Sequence, residues 1–449
     1  MKRLKHRWIT ILKNLDYKGV ILLEKHIKQR IYSIRKKEST DGYKYSKLGV
    51  IPIDWTIKEI KDIATINPQK TLLQNEKMVS FLGMAGVSEN AKVIELETKP
   101  YGEVSKGFTS FIDNDILVAK ITPCFENGKG ALVKNLINGV GFGSTEFHVI
   151  RCEKPEDIKF VFYHTTSHRF RKTGEKNMTG TAGQKRVPAD FIENYLIQYP
   201  SNADERAKIA EVLSTWDKAI ELKEKLIEEK KKQKTGLMQK LLTGKVRLSG
   251  FDKEWVNVKL KKILKQRNEK SEIKEGLELY SLTIEDGVTP KTDRYNREFL
   301  VKSGNKKYKI TKCNDIVYNP ANLRFGAIAV NRIGQSVLLS PIYEVLYIKD
   351  EKKYDIDFVG QLLTWNRNIK YFSTMAEGTL VERMAVKIDA FLDVAFKFPP
   401  SLEEQKAIAS ILSLADKEIC ILKKEVISLK KQKKGLMQLL LTGIVRVNT

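Results

Sequence analysis

Side chains with planar or forked hydrogen-bonding geometry cluster at two places in this chain, and both places recur. Gly180-Thr181-Ala182-Gly183-Gln184-Lys185-Arg186 presents Thr181, Gln184, Lys185 and Arg186 on a glycine-rich loop. Its counterpart, Gly378-Thr379-Leu380-Val381-Glu382-Arg383, presents Thr379, Glu382 and Arg383. The second place follows an Asn-Asp-Ile triplet. Lys120-Ile121-Thr122-Pro123 comes after Asn114-Asp115-Ile116, and Asn319-Pro320-Ala321-Asn322-Leu323-Arg324 comes after Asn314-Asp315-Ile316. Gln can pair with adenine, Arg or Lys with guanine, and a carboxylate can accept from cytosine N4 in a major groove. Nearby Arg169, Arg171 and Lys172 suit a phosphate grip that carries no sequence information. Ordinary polar turns use the same residue types, so the pattern indicates recognition without singling out any one residue.

Bond-breaking chemistry finds less support. Asn67-Pro68-Gln69-Lys70 and Asn319-Pro320-Ala321-Asn322 begin like an amino-methyltransferase loop but lack the following aromatic that would stack a flipped base. Glu97-Thr98-Lys99 has the spacing of a nuclease carboxylate and lysine, with no convincing second metal-binding acid before it. Gly139-Val140-Gly141-Phe142-Gly143 is too short for a phosphate-binding loop and reads as a turn between strands. The five histidines have no carboxylate or thiol at useful spacing. The four cysteines form no Cys-x-x-Cys pair, which argues for a reduced, cytoplasmic setting and no structural zinc. Charges interrupt the apolar runs near the N-terminus, so neither a signal peptide nor a membrane span is expected.

The elements that must position these loops follow from size, charge and an internal repeat. A chain of 449 residues exceeds one ordinary core. Its 80 Lys and Arg against 55 Asp and Glu give a formal net charge of +25, which favours a polyanionic partner through counterion release. Gln233–Leu248 recurs almost unaltered as Gln432–Val447, an offset of 432 − 233 = 199 positions that holds back to Asp204 and Glu403. The repeat then extends into the globular sequence, where Trp55 matches Trp255 and the Asn-Asp-Ile triplets match each other.

The chain therefore divides into a helical extension (1–47), a first globular domain (48–200), a helical region (201–248), a second globular domain (249–400) and a second helical region (401–449). The globular parts mix short alternating runs with Gly, Asn and Pro punctuation, which predicts mixed α/β domains. Strands are expected at Ile116–Ala119, Phe147–Ile150, Ala327–Val330 and Ser336–Leu339, and helices at Asp157–Phe170 and Asp355–Tyr371. Leu22–Arg30 resembles Leu226–Lys234 and reads as a partial third copy of the repeated helix. Ser401 with Glu404, and more weakly Ser201 with Asp204, fit helix-opening capping boxes.

The second helical region carries Ala415, Ile419, Leu422, Val426, Leu429, Lys433, Leu436 and Leu440 in alternating steps of four and three, a coiled-coil seam. The same register in the first region is Trp216, Ile220, Lys223, Ile227, Lys230, Lys234, Leu237 and Leu241. Each stripe needs a partner, and the simplest is the other, packed antiparallel; a symmetric homodimer seam is the competing arrangement. A seam of about 26 residues would make a rod of about 39 Å, close to one turn of DNA. Lys223, Lys230 and Lys234 could face solvent, acids of the other helix or a partner.

The twin Gly-Leu-Met-Gln-x-Leu-Leu-Thr-Gly-x-Val-Arg segments (236–247 and 435–446) resemble those of the specificity subunits of type I restriction–modification enzymes. So do the Pro-x-x-x-x-Glu-x-x-x-Ile-Ala segments that open each helix and the Trp that opens each globular domain. The resemblance covers about residues 48–447. It implies two target-recognition domains that read a split duplex sequence, joined by antiparallel helices that dock two methyltransferase subunits, with restriction subunits binding that assembly. It further implies no catalytic residue, metal or cofactor in this chain, S-adenosylmethionine and ATP with Mg being used by partners.

Overall fold

The computed structural model describes residues 32–33, 41–181, 183–291, 307–378 and 384–449. These fall into two compact units, one formed by the described residues up to Leu222 with Val426–Thr449, the other by Lys223–Glu425. Two long helices, Ala203–Leu241 and Leu402–Leu441, each give one half to each unit. Helix thus fills 203–241 and 402–441 of the regions expected at 201–248 and 401–449, divided between the units rather than forming a body of its own. The extension expected over 1–47, with its partial repeat copy at Leu22–Arg30, lies outside the described residues apart from Tyr32, Ser33 and 41–47. There, Tyr43–Ser46 pairs antiparallel with Gly49–Pro52 across the expected boundary at 47/48.

In the first unit, a four-stranded antiparallel sheet runs in the order Ala64–Ile66, Phe147–Cys152, Ile116–Ala119, Gly130–Leu132. The second unit repeats that order with Leu264–Gln266, Glu344–Ile348, Ile316–Tyr318, Ile328–Val330. The Asn-Asp-Ile triplet leads into the same inner strand in both. Asn114 and Asn314 take positive φ (71° and 67°), a conformation Asn tolerates better than most residues. The following Asp is buried. Asp115 receives the Arg151 fork at 2.7 and 2.9 Å and the Ile112 amide; Asp315 receives Arg267 at 2.7 and 2.9 Å and the Lys312 amide. The repeated triplet is a structural clamp at the root of the strand, from which the candidate loop departs at the other end.

The expected strands form, with small shifts at their ends. Each of the two expected domain helices is instead a pair. Ser167 ends Pro155–Thr165 and caps His168–Lys176 by accepting the Phe170 amide, while extended backbone at Trp365 separates Ile356–Thr364 from Asn366–Ser373. A second correction concerns Val140–Gly143, which is a fully buried strand between Met78–Leu82 and Thr109–Ile112, not a turn. Its glycines make room: a Cβ on Gly141 would lie 2.1 Å from the Phe111 ring, and one on Gly143 would lie 2.3 Å from the Leu82 carbonyl.

The helix openings also depart from a full capping box. Ser401 accepts the Glu404 amide, but the Glu404 carboxylate turns to Arg247 and Trp255. At the other opening Asn202 caps Asp204, leaving the Ser201 hydroxyl to donate to the Asp54 carbonyl.

Within the second unit the half-helices run antiparallel, with Lys223 opposite Glu425, Lys230 at 2.8 Å from Glu418 and Lys234 at 2.7 Å from Asp416. Within the first unit, Lys433 pairs with Asp217 at 2.6 Å and Arg446 with Glu205 at 2.6 Å. The seam lysines therefore face acids of the other helix. Ile220, Ile227, Leu241, Ile419, Leu422, Val426 and Leu440 are buried, and Leu237, Leu429 and Leu436 are half-buried, so the expected register holds in both halves.

Each unit has one main core in which helix and domain are continuous. In the first, Trp55, Phe160, Phe170 and Ile197 pack with Ile209, Leu213, Leu440 and Leu441. In the second, Phe358, Phe372, Phe391 and Phe398 pack with Met238, Leu241, Ile408 and Leu412. Burying each such side chain contributes about 1.5–3 kcal/mol, so the helix ends hold their domains mainly by apolar contact.

Candidate nucleic-acid interface

The two loop types singled out in the sequence meet in each unit. In the first, Val187 donates to the Lys120 carbonyl at 2.8 Å and Thr122 to the Lys185 carbonyl at 2.9 Å, while Thr179 and Arg186 close the glycine-rich loop through a backbone bridge. In the second, Val386 donates to the Pro320 carbonyl at 3.0 Å, and a Glu377–Ala385 bridge closes the counterpart loop. Thr379, Glu382 and Arg383 lie outside the described residues.

The individual side chains sort by what already holds them. Thr181, Gln184 and Lys185 are exposed at the loop tip, the Thr181 carbonyl accepting the Gln184 amide at 3.0 Å. Arg186 is different: its Nε and Nη2 engage Glu146 at 2.8–3.2 Å and its Nη1 reaches the Gln184 carbonyl. That hydrogen bonding holds the Glu146 carboxyl below its ordinary range and raises the guanidinium. Lys120 is half-buried, and its backbone bonds Glu146 on one side and Val187 on the other. In the second unit Asn319 is a turn former, its Oδ1 accepting the Ala321 amide and its carbonyl the Leu323 amide. Asn322 is exposed, and Arg324 lies over the Phe325 ring at 4.6 Å.

Two residues that position the first loop escaped the sequence reading. His148 is buried beneath it, with Nε2 at 2.8 Å from the Val187 carbonyl and Nδ1 at 3.2 Å from the Asn67 amide nitrogen. An Nε2–H tautomer satisfies both contacts, and burial holds the imidazole neutral by lowering its pKa. Asn67, whose loop looked faintly like a methyltransferase motif, also accepts the Val149 amide at 3.0 Å. Its role here is to fix the histidine. Glu146 had no signal in the sequence, since a lone acid before a strand is unremarkable.

The other chemistry-bearing candidates are absorbed by local structure. Lys99 pairs with Glu97 at 3.0 Å and sits 4.0 Å from the Phe81 ring centroid. Among the described residues no group of His, Cys, Asp and Glu could hold a metal ion, and no helix is long and apolar enough to cross a membrane. Arg171, read as a phosphate contact, is buried against Phe125 and Phe170 and donates to the Phe125 carbonyl, so it supports the loop from beneath. Arg169 stays exposed beside Tyr195 and Gln198, and Lys172 is exposed but paired with Glu175. The ten apolar seam positions are turned inward within their own units, which leaves the other helix faces for any partner.

Comparison with known proteins agrees with this architecture. A family model described as the type I restriction modification DNA specificity domain matches residues 52–231. The Escherichia coli EcoEI specificity subunit is 40% identical over 178 residues, 39% of this chain and 29% of that protein. The match thus spans under a third of the relative's length. The Methanocaldococcus jannaschii MjaVIII specificity subunit is 30% identical over 334 residues, 67% of this chain and 73% of that one. In three dimensions the fold is similar to the S subunit of a type I restriction–modification system from M. genitalium, with a TM-score of 0.53 at 17% identity over 87% of this chain and 96% of the other. Repeated helices, repeated domains and an alignment that covers most of a full relative lead to one assignment: the chain belongs to the specificity subunits of type I restriction enzymes.

Proposed function

We propose that this chain is a non-catalytic, cytoplasmic subunit that reads a bipartite duplex DNA target, one half through each globular domain. Its paired helices dock two methyltransferase subunits, restriction subunits join that assembly, and S-adenosylmethionine and ATP with Mg are used by the partners. The observation that carries this reading is the matched meeting of loops, Val187 with Lys120 and Val386 with Pro320, at equivalent places of two divergent domains. A net charge of +25 supplies the sequence-independent attraction for phosphate. Gln184 and Lys185 supply base-edge and phosphate partners at an exposed tip. Methylation mapping in cells carrying the complete system tests the proposal. Two short sequences separated by an unspecified gap are expected; a single continuous sequence, or methylation by this chain without partners, would overturn it.

A further inference from the structure

The Asn319–Gly326 loop ends in an outward aromatic that its counterpart lacks. Leu323 is fully buried and anchors the loop, as Phe125 does in the first unit. Three residues beyond each anchor stands a glycine at positive φ, Gly326 at 97° and Gly128 at 84°. The residue before that glycine differs. In the first unit it is Asn127, whose side chain donates to Glu89 at 2.9 Å across from a neighbouring turn. In the second it is Phe325, which is 59% exposed. The turn facing it carries Ile284, which is 58% exposed. A Cβ on Gly326 would stand 3.8 Å from Ile284 Cγ2, so that turn lies beside the glycine that follows Phe325. A hydrogen-bonded Asn in one domain is thus matched by an exposed Phe in the other, at the same place in the two loops.

We propose that Phe325 reads a thymine 5-methyl group in the half-site bound by the second domain. This rests on the DNA-reading function proposed above and names the chemistry of one contact within it. A phenyl ring held outward at a loop tip, where the matched loop carries a hydrogen-bonded Asn, has apolar surface that contact with a base methyl would remove from water. In the major groove the thymine methyl is the apolar feature that distinguishes T·A from the other pairs, and Phe is among the side chains suited to it. Arg324, stacked on the ring, stiffens the tip and brings a cation toward the adjacent backbone.

The test uses the full chain with its modification partners and the mapped target duplex. Each thymine of the second half-site is replaced in turn by uracil, which removes only the methyl group. At one position the replacement should weaken binding about fourfold, the worth of one buried methyl. Phe325→Ala should bind the thymine and uracil duplexes equally, while Phe325→Leu retains part of the difference. An unchanged melting temperature will show that the exposed side chain is not needed for folding. A half-site without thymine, uracil duplexes all bound within twofold of the parent, or a Phe325→Ala variant that keeps the full discrimination would overturn the proposal. Absence of any sequence-specific duplex binding would overturn the DNA-reading function itself.

Discussion

Arg446, which closes the second repeat motif, lays its guanidinium on Glu205 in the first turn of the other long helix, Nε to Oε1 at 2.8 Å and Nη2 to Oε2 at 2.6 Å. Trp55 Nε1 donates to the same carboxylate at 3.1 Å. The second unit repeats the arrangement with Arg247, Glu404 and Trp255 at 2.8–3.2 Å. The three most repeated features of the sequence are therefore one device. The arginine that closes one repeat motif locks the glutamate that opens the other, and the domain's first tryptophan is pinned beneath both. Glu205 is 2% exposed, so removing Arg446 would leave a buried carboxylate with only an indole partner. Arg446→Ala should cost about 2–4 kcal/mol, and Arg446→Lys should restore little because the fork is bidentate. Urea unfolding followed by Trp55 fluorescence measures this; a loss below about 0.5 kcal/mol would refute the lock.

The lysines inside the seam predict a trade between stability and register. Lys223, Lys230 and Lys234 interrupt an otherwise apolar stripe, and each meets an acid. Partly exposed ion pairs contribute about 0–1 kcal/mol, less than a buried leucine would. A triple Lys→Leu variant should therefore melt at a higher temperature. It should also lose part of its pairing specificity, because polar seam positions fix register at some cost in stability. Sedimentation should then reveal more self-association than in the parent chain; a lower melting temperature would count against the seam assignment.

How much of this was legible without coordinates depended on whether a signal was doubled. The long helices, the stripe along each and the recurrence of the two loop types were readable because two copies displayed them; that the loops meet was not. Trp55, Glu205 and Arg446 were also visible as motif residues. That each motif's arginine meets the other copy's glutamate was not, because pairing across 157 and 241 positions leaves no local periodicity. Glu146 and His148 were missed for a related reason: each occurs once, and pairing with Arg186 for the one and burial beneath the loop for the other, not spacing, give them their roles. The Val140–Gly143 strand was misread since glycine usually marks turns, whereas here its missing Cβ accommodates Phe111.

Acid should weaken the first unit through its buried histidines. His164 is fully enclosed against Phe160, and burial pushes its pKa down to about 3 from an ordinary 6.5. His148 is lowered in the same direction by burial. Since the unfolded chain takes up these protons more readily, their contribution is intact above about pH 6.5 and is lost as pH falls toward the folded values. For His164 the loss is at most about 1.4 kcal/mol per pH unit. Replacing it by Leu should flatten the acid limb of stability between about pH 6 and pH 4, where the parent chain slopes. An identical slope in the variant would assign the acid sensitivity elsewhere.

The loop that carries Gln184, Lys185 and Arg186 should separate into three kinds of defect. Arg186 spends its fork on Glu146, so Arg186→Ala should act by loosening the loop, and Glu146→Ala should reproduce it. Together they should do no more harm than either alone, because both break one interaction. Lys185, exposed and suited to phosphate, should lower affinity for every duplex alike when changed to Ala, and reduce the salt slope by about one ion. Gln184→Ala should instead cost about 1–3 kcal/mol at one base pair of the first half-site while sparing other sequences. Binding titrations against a panel of single-base variants at two salt concentrations distinguish these outcomes. If Arg186→Ala alone relaxes a single base position and Glu146→Ala does not, Arg186 reads DNA directly and its pairing with Glu146 opens on binding.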